Sequence, residues 1–217
     1  MPSSSSRLSV MIVSAPCRPA AKGAIVLERD VDRIGTIVSQ IRAAVSLPLW
    51  IKLTGQSENV VALADAARRG GADAVVMMGR FMGFLPDLET GAPVLGTSAA
   101  IGGGWALPLT ARWLMLTRKK LGTSVPLIAT NGARNGLDVA RFLLSGAAAT
   151  EMTSAIFTGG YQVLADAVAE LEAYVRQRGK TVSELLGEAA DRVETYQDQQ
   201  DRPQYWREFA PFAAPVD

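Results

Sequence analysis

"VPLIATNGARNGLDVARFLLSGAAATE", Val125–Glu151, carries strand, turn, helix and second strand in one unbroken stretch. "VPLIAT" is a short apolar run with no polar alternation, the pattern of a strand covered on both faces. "GLDVARFLLSG" has helical spacing and stops on Gly146, where a glycine can leave the helix. "AATEMTSA", Ala148–Ala155, reads as the next strand. A helix linking two such strands is the crossover that parallel pairing requires. The turn "TNGARNG" between strand and helix admits two readings. Gly132 lets backbone N–H groups face a phosphate at a helix start; equally, it is an ordinary glycine-containing turn.

Working outward, the same unit recurs. "LSVMIVS" (Leu8–Ser14), "LPLWIKL" (Leu47–Leu53) and "AVVMM" (Ala74–Met78) are further apolar strands. "DVDRIGTIVSQIRAAV" follows the first, with Val31, Ile34, Ile37, Val38, Ile41 and Val45 on one helical face. "SENVVALADAARRGGAD" follows the second, with Ser57 as the expected N-cap and Gly70-Gly71 as its stop. After the third strand comes an excursion, Gly79–Leu107, then a helix with Pro108 in its first turn, where the missing N–H is harmless. "YQVLADAVAELEAYVRQRG" is the closing long helix. Five βα units predict a parallel α/β fold, either an open doubly wound sheet or part of a (β/α)8 barrel. No G-x-G-x-x-G follows the first strand, and the glycine-rich and polar turns gather at strand C-terminal ends, where barrels build their sites.

Composition narrows the chemistry. With 217 residues and 48% hydrophobic, the chain can bury one substantial core. Lys and Arg total 22 against 21 acidic residues, and no basic patch is interleaved with aromatics, so no nucleic-acid partner is expected. The absence of histidine removes Ser-His-Asp and Cys-His catalysis and any histidine-bound metal. A single cysteine, Cys17, forbids an internal disulfide and fits a reducing, cytoplasmic compartment. No signal peptide is read in "MPSSSSRLSV", and no uncharged run approaches the roughly 18 residues of a membrane span.

Several residues stand out against blander readings. Lys52 is a cation inside "LWIKL", expensive unless it meets a partner, and a strand-end lysine in a barrel mouth can stabilise negative charge. Its blander reading is a lysine on a solvated edge. Thr153 and Ser154 offer hydroxyls to the anion that Gly132 would face, or else simply end a strand. Gly102, Gly103 and Gly104 permit close backbone approach to a ligand, or give plain loop slack. Arg80 is placed to grip a carboxylate, or to sit on the surface. Cys17 has no histidine to activate it.

"PLWIKLTGQSENVVALADAARRGGADAVV" (Pro48–Val76) and "PLIATNGARNGLDVARFLLSGAAATEMTSAIF" (Pro126–Phe157) resemble the C-terminal half of the dihydroorotate dehydrogenase family, and the pyrimidine-reducing domain of dihydropyrimidine dehydrogenase more closely. The likeness runs from about Leu8 to Gly187, giving a partial barrel domain over 1–187 and an extension over 188–217. It implies an FMN-binding (β/α)8 barrel that moves hydride to or from a CH–CH group. It also implies that Lys52 lies beside the flavin ring and that Asn131, Gly132, Thr153 and Ser154 lie at the phosphate. Gly103 belongs to the glycine loop that the family writes "GGxSG". On the substrate side the pattern is broken. Ile12 and Cys17 replace the two asparagines of the family's "N-x-S-(C/S)-P-N" segment, and Ala15 stands at its catalytic Cys/Ser position. Gly79, followed by Arg80, replaces another asparagine. The substrate expected is therefore not a standard pyrimidine, with Gly79 and Arg80 as candidate contacts and the acid–base residues unassigned. Only five of eight βα units have counterparts, so a partner chain or self-association is expected to complete the barrel. Tyr205, Trp206, Phe209 and Phe212 of the extension would form a docking strap, or else belong to a loose tail folding back on its own core. Two rivals stay open: a non-catalytic half-barrel scaffold, and a phosphate-sugar barrel using Lys52 as base or Schiff-base amine.

Overall fold

The computed structural model describes residues 11–14, 31–79 and 81–194. Five parallel strands form its main sheet: β1 (Met11–Ser14), β2 (Leu49–Lys52), β3 (Ala74–Met77), β6 (Leu127–Thr130) and β7 (Ala147–Glu151). They pair in the order β1-β2-β3-β6-β7, which is the order of the chain. A doubly wound sheet reverses direction at a switch point, and this sheet has none. The connecting helices are α1 (Val31–Ala44), α2 (Val60–Arg69), α3 (Leu107–Leu121) and α4 (Gly136–Leu144). After β7 come the short α5 (Ser154–Gly159), the long α6 (Gln162–Arg178) and one turn of α7 (Val182–Leu185).

The period-2 alternation of strand side chains sorts the core into two unequal parts. Leu49, Ile51, Leu53, Val75, Met77, Leu127, Ala129 and Ala147 share one large cluster with Ile34 and Val38 of α1, Leu63 and Ala67 of α2, Leu114 of α3 and Phe142 of α4. The alternate positions Ala74, Val76 and Ile128 form a small separate cluster against Trp50. The helices from all four crossovers therefore cover one face, and neighbours in sequence touch neighbours in space, α1 on α2, α2 on α3 and α3 on α4. All the described crossover helices on one face, with a strand order that never reverses among the described strands, make this the wall of a barrel, as the resemblance implies.

Most expected elements are present within a residue or two. Three differ in an informative way. The helix after β2 starts at Val60, so Ser57 is not its cap. Ser57 is buried and its hydroxyl accepts from Asn59 N at 3.1 Å, shaping the turn before the helix. The excursion is partly ordered as an antiparallel pair, β4 (Phe81–Gly83) with β5 (Ala99–Ile101). The last strand ends at Glu151, and Ser154 opens α5 instead of continuing the strand. Residues past Gly187 continue onto the body: Arg118 of α3 grips Asp191 through two bonds of 2.8 and 2.7 Å, and Lys119 donates to Val193 O. The aromatic residues of the expected strap, with Ala15, Cys17 and Arg80, lie outside the described residues. Among the described strands β1 and β7 are the two edges, and Ala148 and Ala149 of β7 are exposed. No helix among the described residues is long and apolar enough to cross a membrane.

Candidate functional site

Parallel pairing aligns all five strand ends on one side of the wall. Register places Ser14, Lys52, Val76, Ile128 and Ala149 in one row across the sheet. Lys52 shares its face with Trp50 and Val76, so it lies on the concave side, away from the helices. Glu151 lies two residues beyond Ala149 on β7 and has the same parity. The Lys52 ammonium meets the Glu151 carboxylate at 2.5 Å, each side chain about a quarter exposed (27% and 24%). Two strands, β3 and β6, stand between them. On a flat sheet their backbones would be roughly 14 Å apart, beyond the span of the two side chains. The contact is a chord across a curved wall, and it brings the tips of β2 and β7 together on the concave side.

A second set of bonds ties three loops together beside that chord. Asn131, the first residue after β6, has a positive φ of 69°, which Asn tolerates better than most residues. Its Oδ1 accepts from Gly103 N at 2.9 Å and its Nδ2 donates to Gly79 O at 3.3 Å. The Thr110 hydroxyl donates to Asn131 O at 2.8 Å, anchoring the same residue to α3. Gly79 in turn donates its N–H to Leu53 O at 2.8 Å, and a Cβ there would sit 2.8 Å from that same oxygen. The loop ends following β2, β3 and β6 are thus locked to the glycine loop through Asn131. Gly132 has φ of 130°, and a Cβ on it would lie 2.6 Å from Leu107 Cα. Its glycine identity is accounted for by the close approach of the start of α3.

The neighbouring tip is differently built. Thr130 pairs with Glu151, so the turn holding Gly132 leaves β6 beside the one holding Thr153 and Ser154. Both of these residues are exposed, and Thr153 makes no side-chain cap to α5. The loop after β2 is roofed by aromatics: Phe81 and Trp105 rings lie 5.3 Å apart at 52°, and Gln56 exchanges two bonds with the Met82 backbone. Behind the glycine loop, Arg134 is held by Asp138, whose carboxylate also accepts from Arg141 and from Arg134 N. The side-chain bond from Asp138 raises the Arg134 guanidinium pKa further above its ordinary value.

Of the residues singled out in the sequence, Lys52, Gly79, Gly103, Asn131, Gly132, Thr153 and Ser154 all fall at this C-terminal end of the sheet. Glu151, Trp50, Phe81 and Trp105 were missed. Glu151 carried a signal: like Lys52, it is a lone charge at the last position of an apolar strand. Among the described residues no group of three or more Asp, Glu or Cys could hold a metal ion.

The model of the family described as dihydroorotate dehydrogenase matches residues 6–175 of the chain. Dihydroorotate dehydrogenase A (fumarate) of Lactobacillus helveticus is 28% identical over 188 residues, 86% of this chain and 60% of that protein. The catalytic subunit of dihydroorotate dehydrogenase B (NAD(+)) of Methanocella arvoryzae is 29% identical over 171 residues, 78% of this chain and 56% of the relative. The chain thus spans about 60% or less of the length of these relatives. A DHODH of Eimeria tenella, crystallised in complex with ferulenol, superposes with a TM-score of 0.69 at 18% identity, covering 84% of this chain and 54% of the other.

Proposed function

The chain belongs to the dihydroorotate dehydrogenase family, and from that premise we propose that it forms the C-terminal wall of an FMN-dependent oxidoreductase acting on a CH–CH group. One observation carries the reading: the Lys52 ammonium at the end of β2 meets the Glu151 carboxylate at the end of β7, across the concave side of the wall. The donor set fits a flavin. A lysine ammonium at a strand end can donate to the pyrimidine-like edge of the ring, and the exposed hydroxyls of Thr153 and Ser154 lie beside the β6 turn, where a phosphate would be held. Bound there, FMN would supply hydride transfer. The chain's own contribution is to orient and to exclude water. Lys52 would donate to the ring edge, while Asn131 holds the glycine loop at this end of the sheet and Phe81 pairs with Trp105 on the β2 side.

The substrate is proposed to be other than a standard pyrimidine. Ile12, which stands where the family carries an amide, is half-exposed on the concave row beside Trp50. An apolar side chain there leaves a ring amide without its partner, which costs heavily in discrimination. Among the described residues the sheet ends in two open edges, β1 and β7, and we assign their cover to a partner chain carrying further βα units or to self-association. Purified protein, alone and mixed with a chain carrying the first βα units of a relative, tests the reading. Flavin absorbance that persists through gel filtration is the expected result. A colourless protein in both cases refutes it and favours the non-catalytic scaffold, whose supporting observation is that the Lys52 charge is already met by Glu151.

A further inference from the structure

The family likeness accounts for Lys52 but assigns nothing to Glu151, and the two must be read together. Their heads touch at 2.5 Å while each side chain stays about a quarter exposed. An ammonium has three donors and a carboxylate about four acceptor sites, so one mutual bond leaves unspent donors and acceptors side by side at the pocket surface. The pair is also electrically closed. An anion approaching Lys52 must displace Glu151 and then remain next to it, at like charge and in a partly dry site. A neutral group that offers an acceptor and a donor at adjacent atoms meets no such penalty.

We propose that Glu151 is the specificity-determining residue of this pocket, making it a receptor for an uncharged cyclic imide or lactam edge. The ring C=O accepts from Lys52 and the adjacent N–H donates to Glu151. This deepens the flavin reading, since the isoalloxazine ring carries such an edge, and it rests on that reading only in placing the ligand at Lys52. It extends equally to an imide-bearing substrate. Trp50, half-buried on the same face two residues before Lys52, packs against the cluster of Val76 and Ile128 and supplies the aromatic surface nearest in register to the pair.

The test uses Lys52 as its own reporter. The full chain is acylated with a water-soluble acetyl ester, and labelling at Lys52 is read by mass spectrometry with competing probes present. Riboflavin and glutarimide are compared with 3-methylriboflavin and N-methylglutarimide, in which the imide N–H is gone, and with inorganic phosphate and acetate as anions. In the unsubstituted chain the N–H probes protect Lys52 at concentrations about ten- to a hundredfold lower than their N-methyl counterparts, the factor expected of a hydrogen bond to a charged acceptor. Phosphate and acetate do not protect. E151Q keeps an acceptor but loses the charge, so acetate now protects Lys52, and the unliganded lysine labels several-fold faster. E151A loses the preference for N–H over N-methyl. Equal protection by N–H and N-methyl probes in the unsubstituted chain overturns the proposal without any variant having to fold. So does protection by acetate as strong as by glutarimide. Protection by glutarimide but not by riboflavin, both alone and in the presence of the chain carrying the first βα units, supports the imide edge while sinking the flavin reading, so the two failures are told apart.

Discussion

Asp138 offers the sharpest test of how the site is held. It lies in the first turn of α4 with its side chain only 1% exposed, yet its two partner guanidiniums, Arg134 and Arg141, are 60% and 50% exposed. Its carboxylate accepts three bonds: from Arg134 N at 3.1 Å, Arg134 Nε at 2.9 Å and Arg141 Nη1 at 3.0 Å. Replacement by asparagine conserves volume but removes the charge and turns an amide N–H₂ towards donors. Charge-assisted bonds are roughly twice as strong as neutral ones. The exposure of both arginines argues for the lower end of each, about 1 kcal/mol apiece. Loss of an anion from a helix start adds about 0.5 to 1 kcal/mol. We expect D138N to lose about 2 to 3 kcal/mol in urea unfolding, a fall in Tm of roughly 5 to 10 °C for a domain of this size. R134M, which removes only an exposed partner, should lose about 1 kcal/mol or less. The unfolding midpoints of both variants, with the slope unchanged, are the measurement. If D138N unfolds within about 0.5 kcal/mol of the parent, the carboxylate is not holding the turn, and the rigidity assigned to the loops behind the pocket is mistaken.

Other expectations follow from particular contacts. Gly132→Ala puts a side chain 2.6 Å from Leu107 Cα at a φ of 130° and should destabilise by about 2 to 4 kcal/mol, read as thermal unfolding; near-parental stability would mean that α3 starts elsewhere. Trp50→Ala empties the floor of the concave face and should lose about 2 kcal/mol while leaving the helix-covered cluster packed, so helical circular dichroism is retained below the transition. Glu188 is held below the usual carboxylate range chiefly by the Lys180 side-chain bond, and Asp191 by that of Arg118. A lowered folded value gives stability that is present above the unfolded value and lost as pH falls through the folded one, so unfolding midpoints should drop on the acid side of the carboxylate range. The drop should be shallower in E188Q, and an acid limb identical to the parent's would count against this.

Much of the wall was legible because its signals are local. Apolar runs such as "LIAT" and "AVVM" and the helical spacing in "VARFLL" announce strand and helix within a few residues. Periodicity alone left open whether those units wind once or twice, since both folds are built from the same βα grammar; the turn chemistry and the family resemblance pointed to the barrel. The answer lies in which face Val76 and Ile128 share with Trp50, three strands' worth of non-local contact. Lys52 could be found because a cation inside "LWIK" violates the local pattern. Glu151 violates "AAAT" in the same way, but reading the strand on to Ala155 hid it in mid-strand, where its parity with Lys52 carried no meaning. Asn131 stood where the family places glycine; its amide turns out to be what holds Gly79 and Gly103 in place. No spacing in the sequence relates those three residues.

The unequal division of the sheet also bears on how such a protein can change. Residues that hold the wall up and residues that would meet a ligand alternate along the same strands, so neighbours one apart answer to separate demands. Ile12, Trp50, Lys52 and Glu151 could be exchanged as a set while Leu49, Ile51, Val75 and Met77 keep the helices in place. A randomised library confined to the first group should return mostly folded members with altered preferences, whereas one shifted by a single position along each strand should return mostly unfolded ones.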